Sequence, residues 1–304
     1  MNKKLTALFS LIIILAFIGY IIFDATKDAD KKDASLTVKD TLYNDSWTID
    51  RTFHVTEGEL TSVAASPDGI IYLGGDSFVK SINADLSDLW NLKTDLRITS
   101  LAVSGDTIFA STPETILLIS ASGKLISEWG PYEENSLITS VSADKRFLAF
   151  ADAGNKIIFV FKKNGELHLM IGQSEEKFVI PSSYFDVALS DNQLFAANTG
   201  NRRIETWTTD GKKLSEFGEP GTAPGAFCGC CNPAHFAVIP QGFVTAEKGI
   251  NRIKILDLNG GFTEFVSSQN EFIPSVPLDV ASADGKTIYA ANSVNSTLYL
   301  FKRK

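Results

Sequence analysis

The chain has 304 residues, 44% of them apolar and 21% charged, a globular composition that excludes disorder over most of its length. Its formal charge is -8, with 28 Lys and Arg against 36 Asp and Glu and no basic stripe. A phosphate backbone is held by clustered cations, so no nucleic-acid partner is expected.

Residues 5–23, LTALFSLIIILAFIGYIIF, carry no charge and come close to the roughly 20 residues a helix needs to cross a bilayer. A cleaved signal peptide has a shorter apolar run, about 7–15 residues, ending at small residues. Here the run is longer and leads into FDATKDADKKD, so an uncleaved transmembrane signal-anchor is expected. Lys3 and Lys4, in the flank 1–4, favour the cytoplasmic side, which puts the rest of the chain outside a cell membrane crossed once. Disulfides are permitted in that compartment. Residues 24–45 are Asp-, Lys-, Ser- and Thr-rich without an apolar period and read as a flexible tether.

From residue 46 onward the sequence repeats. Six short apolar runs built on small residues open the units: 61–66, 99–104, 139–144, 185–190, 236–241 and 278–283. Each is followed by a second and a third strand-like run, with Asp-Gly, Asn-Gly and Ser-Gly turn signals between runs. In five units a fourth run ends on a bulky residue: Trp90, Trp129, Ile171, Phe217 and Phe265. Four strands per unit, repeating every 38–51 residues, is the pattern of a β-propeller blade, and the fold class expected is an all-β six-bladed propeller over 46–304. The sixth unit has no fourth run. The segment Trp47–Val55 matches the fourth runs in length and pattern, so 46–56 is expected to close the last blade.

Two stretches carry a family resemblance: FDVALSDNQLFAANTGNRRIETWTTDGKKLSEFG and FGEPGTAPGAFCGCCNPAHFAVIPQGFVTAEKGINRIKILDLNG. Both resemble NHL repeats, with the clearest matches over 184–266; residues 59–130 fit only the general propeller pattern. The resemblance implies an NHL-like propeller and leaves function open, because this family includes scaffolds, ligand-binding domains and a few enzymes. Between Phe227 and Pro233 the chain inserts CGCCN, a few residues more than the usual spacing.

That insertion holds all three cysteines, and a fourth-to-first connection lies on the same face as the loops between second and third strands. Candidates for a ligand face are therefore Cys228, Cys230, Cys231 and His235 together with Glu247, Lys248, Asp152, Asn198 and Asn292. Three thiols and an imidazole at Cys228, Cys230, Cys231 and His235 suit a soft ion such as Cu(I) or Zn. The alternative is a disulfide, Cys228 to Cys231 or Cys230 to Cys231. His54 and His168 fall in outer strands, too far apart for a three-histidine site. Arg202, Arg203 and Arg252 are expected to pair within the fold, and Glu247 and Lys248 to form a solvated turn or an ion pair. No nucleophile-and-base motif, Walker sequence or dinucleotide fingerprint is present, so no catalytic residue is assigned. The leading functional expectation is a membrane-anchored module that binds a protein or small-molecule partner on its loop face. Metal or thiol-redox handling and a propeller hydrolase or lyase with a channel metal are the alternatives.

Overall fold

A computed structural model of the chain describes residues 14–19, 46–173, 177–268, 272–273 and 276–304. The chain divides into two compact units, Met1–Asn44 and Asp45–Lys304. In the first, residues 14–19 are helical and exposed; the rest of the expected span 5–23 and the tether 24–45 lie outside the described residues. Among the described residues no helix is long and apolar enough to cross a membrane.

The second unit consists of six four-stranded antiparallel sheets, each formed from strands in sequence order except the last. The opening strand is β1 (Trp47–His54). Blade one holds β2 (Leu60–Ala65), β3 (Ile71–Gly75), β4 (Phe78–Ile82) and β5 (Asp88–Lys93). Blade two holds β6 (Ser100–Ser104), β7 (Thr107–Ser111), β8 (Ile116–Ser120) and β9 (Leu125–Trp129). Blade three holds β10 (Ile138–Ala143), β11 (Phe147–Asp152), β12 (Ile157–Lys162) and β13 (Leu167–Ile171). Blade four holds β14 (Val187–Ser190), β15 (Gln193–Asn198), β16 (Arg203–Thr208) and β17 (Lys213–Phe217). Blade five holds β18 (His235–Ile239), β19 (Gly242–Ala246), β20 (Ile253–Leu256) and β21 (Phe262–Ser267). Blade six combines β22 (Asp279–Ala281), β23 (Thr287–Asn292) and β24 (Thr297–Arg303) with β1, which pairs with β24 from Trp47↔Arg303 to His54↔Thr297. The fourth run missing from the last unit is thus supplied from before the first.

Burial follows from this stacking. The second and third strands of a blade lie between two neighbouring blades, so β3 (IYLGG) and β4 (FVKSI) are buried at every position. The fourth strand is on the perimeter, and β5 (DLWNLK) alternates between exposed and half-buried positions. Among the described residues the apolar side chains form six clusters, and each joins residues of two consecutive blades. The fold has a core at every blade junction rather than one at its centre. All six fourth strands, β1 included, shift register against the third at a bulge or irregularity, which bends the perimeter strand away from a flat ladder.

Candidate functional site

One position per blade, in or just before the start of the first strand, forms an inner ring: Ser62, Ser100, Ser140, Asp186, His235 and Asp279. Four of these side chains accept a hydrogen bond from a backbone N–H of the next blade. Ser100 Oγ accepts from Val141 N at 3.2 Å, Ser140 Oγ from Val187 N at 3.1 Å, Asp186 Oδ2 from Phe236 N at 2.7 Å and Asp279 Oδ2 from Val63 N at 2.8 Å. The last of these links blade six to blade one, so the ring is tied at its centre as well as by β1. Asp186 Oδ1 also receives the Ser140 hydroxyl. Ser62 Oγ is buried with no hydrogen-bond partner.

The ring is chemically lopsided. Blades one to three contribute hydroxyls, whereas blades four to six contribute an imidazole between two carboxylates. His235 Nδ1 lies 3.6 Å from Asp279 Oδ1 and 3.9 Å from Asp186 Oδ2. Burial, reinforced by the neighbouring Asp186 charge and opposed by His235, pushes the Asp279 carboxyl up to about 6. Burial likewise raises Asp186, against the opposing pull of His235 and of its hydrogen bonds. Asp279 is therefore the member of the ring placed to hold or release a proton near pH 6.

Two cavities flank the ring. One of about 250 Å³ is bounded by the first strands and reaches Ser140, Asp186 and Asp279. The other, about 320 Å³, lies on the side of the connections between blades. His235 and Asp279 line it, with Thr61, Thr99 and Thr139, the Tyr184 ring and Arg97 around them. Arg97 is held in place by a two-point pair with Glu59, at 2.7 and 3.1 Å. The Tyr184 ring stands edge-on to His235, centroids 6.0 Å apart, and Lys248 Nζ sits 4.7 Å from the centroid of the same ring.

Lys248 connects this cavity to the cysteine insertion. Asn232 is fully buried; its Oδ1 accepts from Lys248 N at 3.0 Å, and its Nδ2 donates to Lys248 O at 2.9 Å and to Cys228 O. Cys228 N in turn donates to Glu247 Oε2 at 3.0 Å. Glu247 is fully buried, and its carboxylate takes Arg252 at 2.8 Å and Lys254 at 2.9 Å. Arg252 and Lys254 pass the tie on to the carbonyls of Thr222, Ala223 and Ala226. A loop of small and turn-forming residues thereby acquires a fixed shape from three buried charges. Of the two expectations for Glu247, a solvated turn or an ion pair, the structure shows the ion pair: the buried carboxylate meets two cations and an amide.

The three cysteines are free thiols, Cys228 half-buried, Cys230 exposed and Cys231 buried, and neither the 228–231 nor the 230–231 bridge is formed. Burial, with the Glu247 charge behind it, pushes the Cys228 thiol up, so this sulfur is not an activated thiolate. Among the described residues no group of three or more His, Cys, Asp or Glu is placed to hold a metal ion. His235 faces the axial carboxylates, not the thiols, so the residues present do not fit the four-ligand Cu or Zn site expected from C-x-C-C-x3-H.

The remaining expected face residues are structural ties. Asp152 Oδ1 accepts from the backbone of Leu137, Gly154 and Asn155 at 2.9, 2.9 and 3.1 Å, and Asn198 Oδ1 accepts from Val179 N at 2.9 Å. Asn292 Oδ1 accepts from Val294 N at 3.0 Å. With Glu247 and Cys228 they repeat one device, in which the end of a second strand fixes a nearby loop backbone. Sequence reasoning missed Asp186, Asp279, Tyr184 and Arg97. The signal for the two aspartates was present in the second residue of the repeats, TSV, TSL, TSV, FDV and LDV. Starting the fifth unit at Phe236 instead of Ala234 shifted that repeat by two residues and took His235 out of the series.

No known family model matches the chain, and no curated protein matches its sequence. Solved structures do match. A streptogramin B lyase superposes with a TM-score of 0.62 at 13% identity, over 85% of this chain and 98% of the other. A virginiamycin B lyase from Staphylococcus aureus gives 0.60 at 16%, over 85% and 100%. A protein of unknown function from Bacteroides thetaiotaomicron gives 0.62 at 14%, over 85% and 76%. At these identities the likeness is one of fold, a six-bladed propeller.

Proposed function

We propose that the chain is an NHL-like propeller that binds a small polar ligand in the axial cavity on its His235 side. The observation that carries this reading is the Asp186–His235–Asp279 half-ring at the cavity of about 320 Å³, under a rim of Tyr184 and Arg97. A concave site with a few convergent polar groups, one aromatic wall and shifted carboxyl groups is the usual form of a small-molecule site. The cysteine insertion supports one wall of it through Asn232, Lys248 and Tyr184. A thermal-shift screen of small polar metabolites against the full chain and H235A tests the reading. At least one compound should raise the melting temperature saturably in the parent and not in H235A, whereas no His235-dependent shift across the screen refutes it.

The charge-free run 5–23 and Lys3 and Lys4 support anchoring in a membrane with the propeller on the extracytoplasmic side. Cys230, exposed on the propeller, offers the check. A membrane-impermeant maleimide should label it in right-side-out vesicles without detergent, and labelling only after lysis would reverse the orientation.

A second reading, acid–base catalysis, is favoured by the imidazole between two carboxylates whose acidity burial has weakened. Two structural neighbours are a streptogramin B lyase and a virginiamycin B lyase, which makes a streptogramin B the first substrate to try. A His235-dependent product would establish this reading, and no turnover in the parent would refute it.

A further inference from the structure

On the opposite face, at the hairpin turns, a cavity of about 380 Å³ lies between blades two and three, lined in part by Thr107, Phe109, Leu118, Lys145 and Lys163. The Lys163 Nζ is buried, makes no hydrogen bond, and stands 4.3 Å from the centroid of the Phe109 ring. An ammonium removed from water without an acceptor is costly, and the face of a phenyl ring offsets only part of that cost. Burial accordingly draws this amine down to about 8, against the opposing pull of Asp144. The acid that acts on it is already in use: Asp144 Oδ1 accepts from the N–H groups of Arg146 and Phe147.

The fold does not require this lysine. The turn that holds it recurs in five blades, closed by the same backbone bond from Asn83, Ser120, Lys162, Thr208 and Asp257 to the residue four further on. The next residue in each is Ala84, Ala121, Lys163, Thr209 and Leu258, so small, apolar or hydroxyl side chains serve equally well in this place. A cation stands there only in blade three, where Lys145 of the neighbouring turn brings a second positive charge to the same cavity. On a chain of net charge -8 the pair is a local exception.

We propose that the groove between blades two and three is a binding site for a small organic anion, its carboxylate or phosphate against Lys163 and Lys145 and its apolar part on Phe109 and Leu118. The anion supplies the acceptor that Lys163 lacks, and the phenyl and leucine surfaces select for a hydrophobic body. The site is independent of the axial cavity.

Titration calorimetry of the full chain with benzoate and with phenyl phosphate, at constant ionic strength and with benzyl alcohol as the neutral analogue, tests the assignment. At least one anion should bind saturably, and the preferred one identifies the headgroup. K163M should weaken that binding at least tenfold, K163R should restore it to within about threefold, and H235A should leave it unchanged. Absence of saturable binding by either anion, equal binding of benzyl alcohol, undiminished binding by K163M, or loss in H235A each overturns the proposal. Lys163→Met removes a buried charge and is expected to fold; K145A, at an exposed turn, gives the same decision if it does not.

Discussion

Glu247 shows how one side chain can fix a loop whose own sequence has little to hold it. Its buried carboxylate joins Arg252, Lys254 and the amide of Cys228. Removing one partner of a buried ion group strands the others, at a cost of about 3–5 kcal/mol. E247A should therefore lower the melting temperature by roughly 10 °C, given the few degrees per kcal/mol usual for a domain of this size. It should also expose Cys228 to alkylation under native conditions; a parent-like melting curve with unchanged alkylation would show that the cluster does not hold the loop. Asp279 makes the opposite case. Its carboxyl group lies at about 6 in the folded chain against 3.8 for an unperturbed one, so between those values the native state holds more protons than the unfolded state. Stability should then fall as the pH rises from about 4 to 6. D279N keeps an acceptor for Val63 N and removes the charge, so it should flatten that slope and raise neutral-pH stability by up to roughly 3 kcal/mol. Ligand binding should weaken in the same variant, the trade expected where a site keeps a costly group for function. A slope unaltered in D279N would refute the assignment.

At the scale of the strand, the sequence was informative where burial is simple. Alternating runs with Asp-Gly and Asn-Gly turns mark the blades, and the absent fourth run after FKRK pointed to the segment that fills it. Deleting 46–56 should cause a large drop in melting temperature, because it removes the β1 ladder along β24 and uncovers that edge. It also removes Trp47, which is buried in the cluster between blades five and six. A melting curve unaffected by the deletion would mean that blade six stands on three strands. The site was less legible, for a physical reason. Asp152, Asn198 and Asn292 are polar residues at loop mouths, the same signature that ligand contacts give, and only the backbone they bond to distinguishes the roles. The axial residues gave a weak signal because each is a single letter in its repeat, and a two-residue slip in one unit hid their alignment.

At the scale of the whole molecule, the six clusters at the blade junctions make the ring a closed cycle of nearest-neighbour contacts. A linear array of repeats tolerates fraying at its ends, whereas here every blade has two neighbours. The ends of the propeller meet, with Lys304 N donating to Ser46 O at 3.0 Å. A permutant that joins Lys304 to Ser46 by a short turn and opens the chain at Gly105–Asp106 should fold with nearly the parent's melting temperature. Failure to fold would show that the break at β1 is needed for assembly. The pairing of β1 with β24 also fixes an order in time. Within the propeller β1 is matched with β24, made roughly 240 residues later, so at about 5–20 residues per second β1 waits on the order of 10–50 s for its partner. Through that interval the blades are added one by one and the circle is still open, which makes β1 the timekeeper of closure: the ring closes only once β24 has been made.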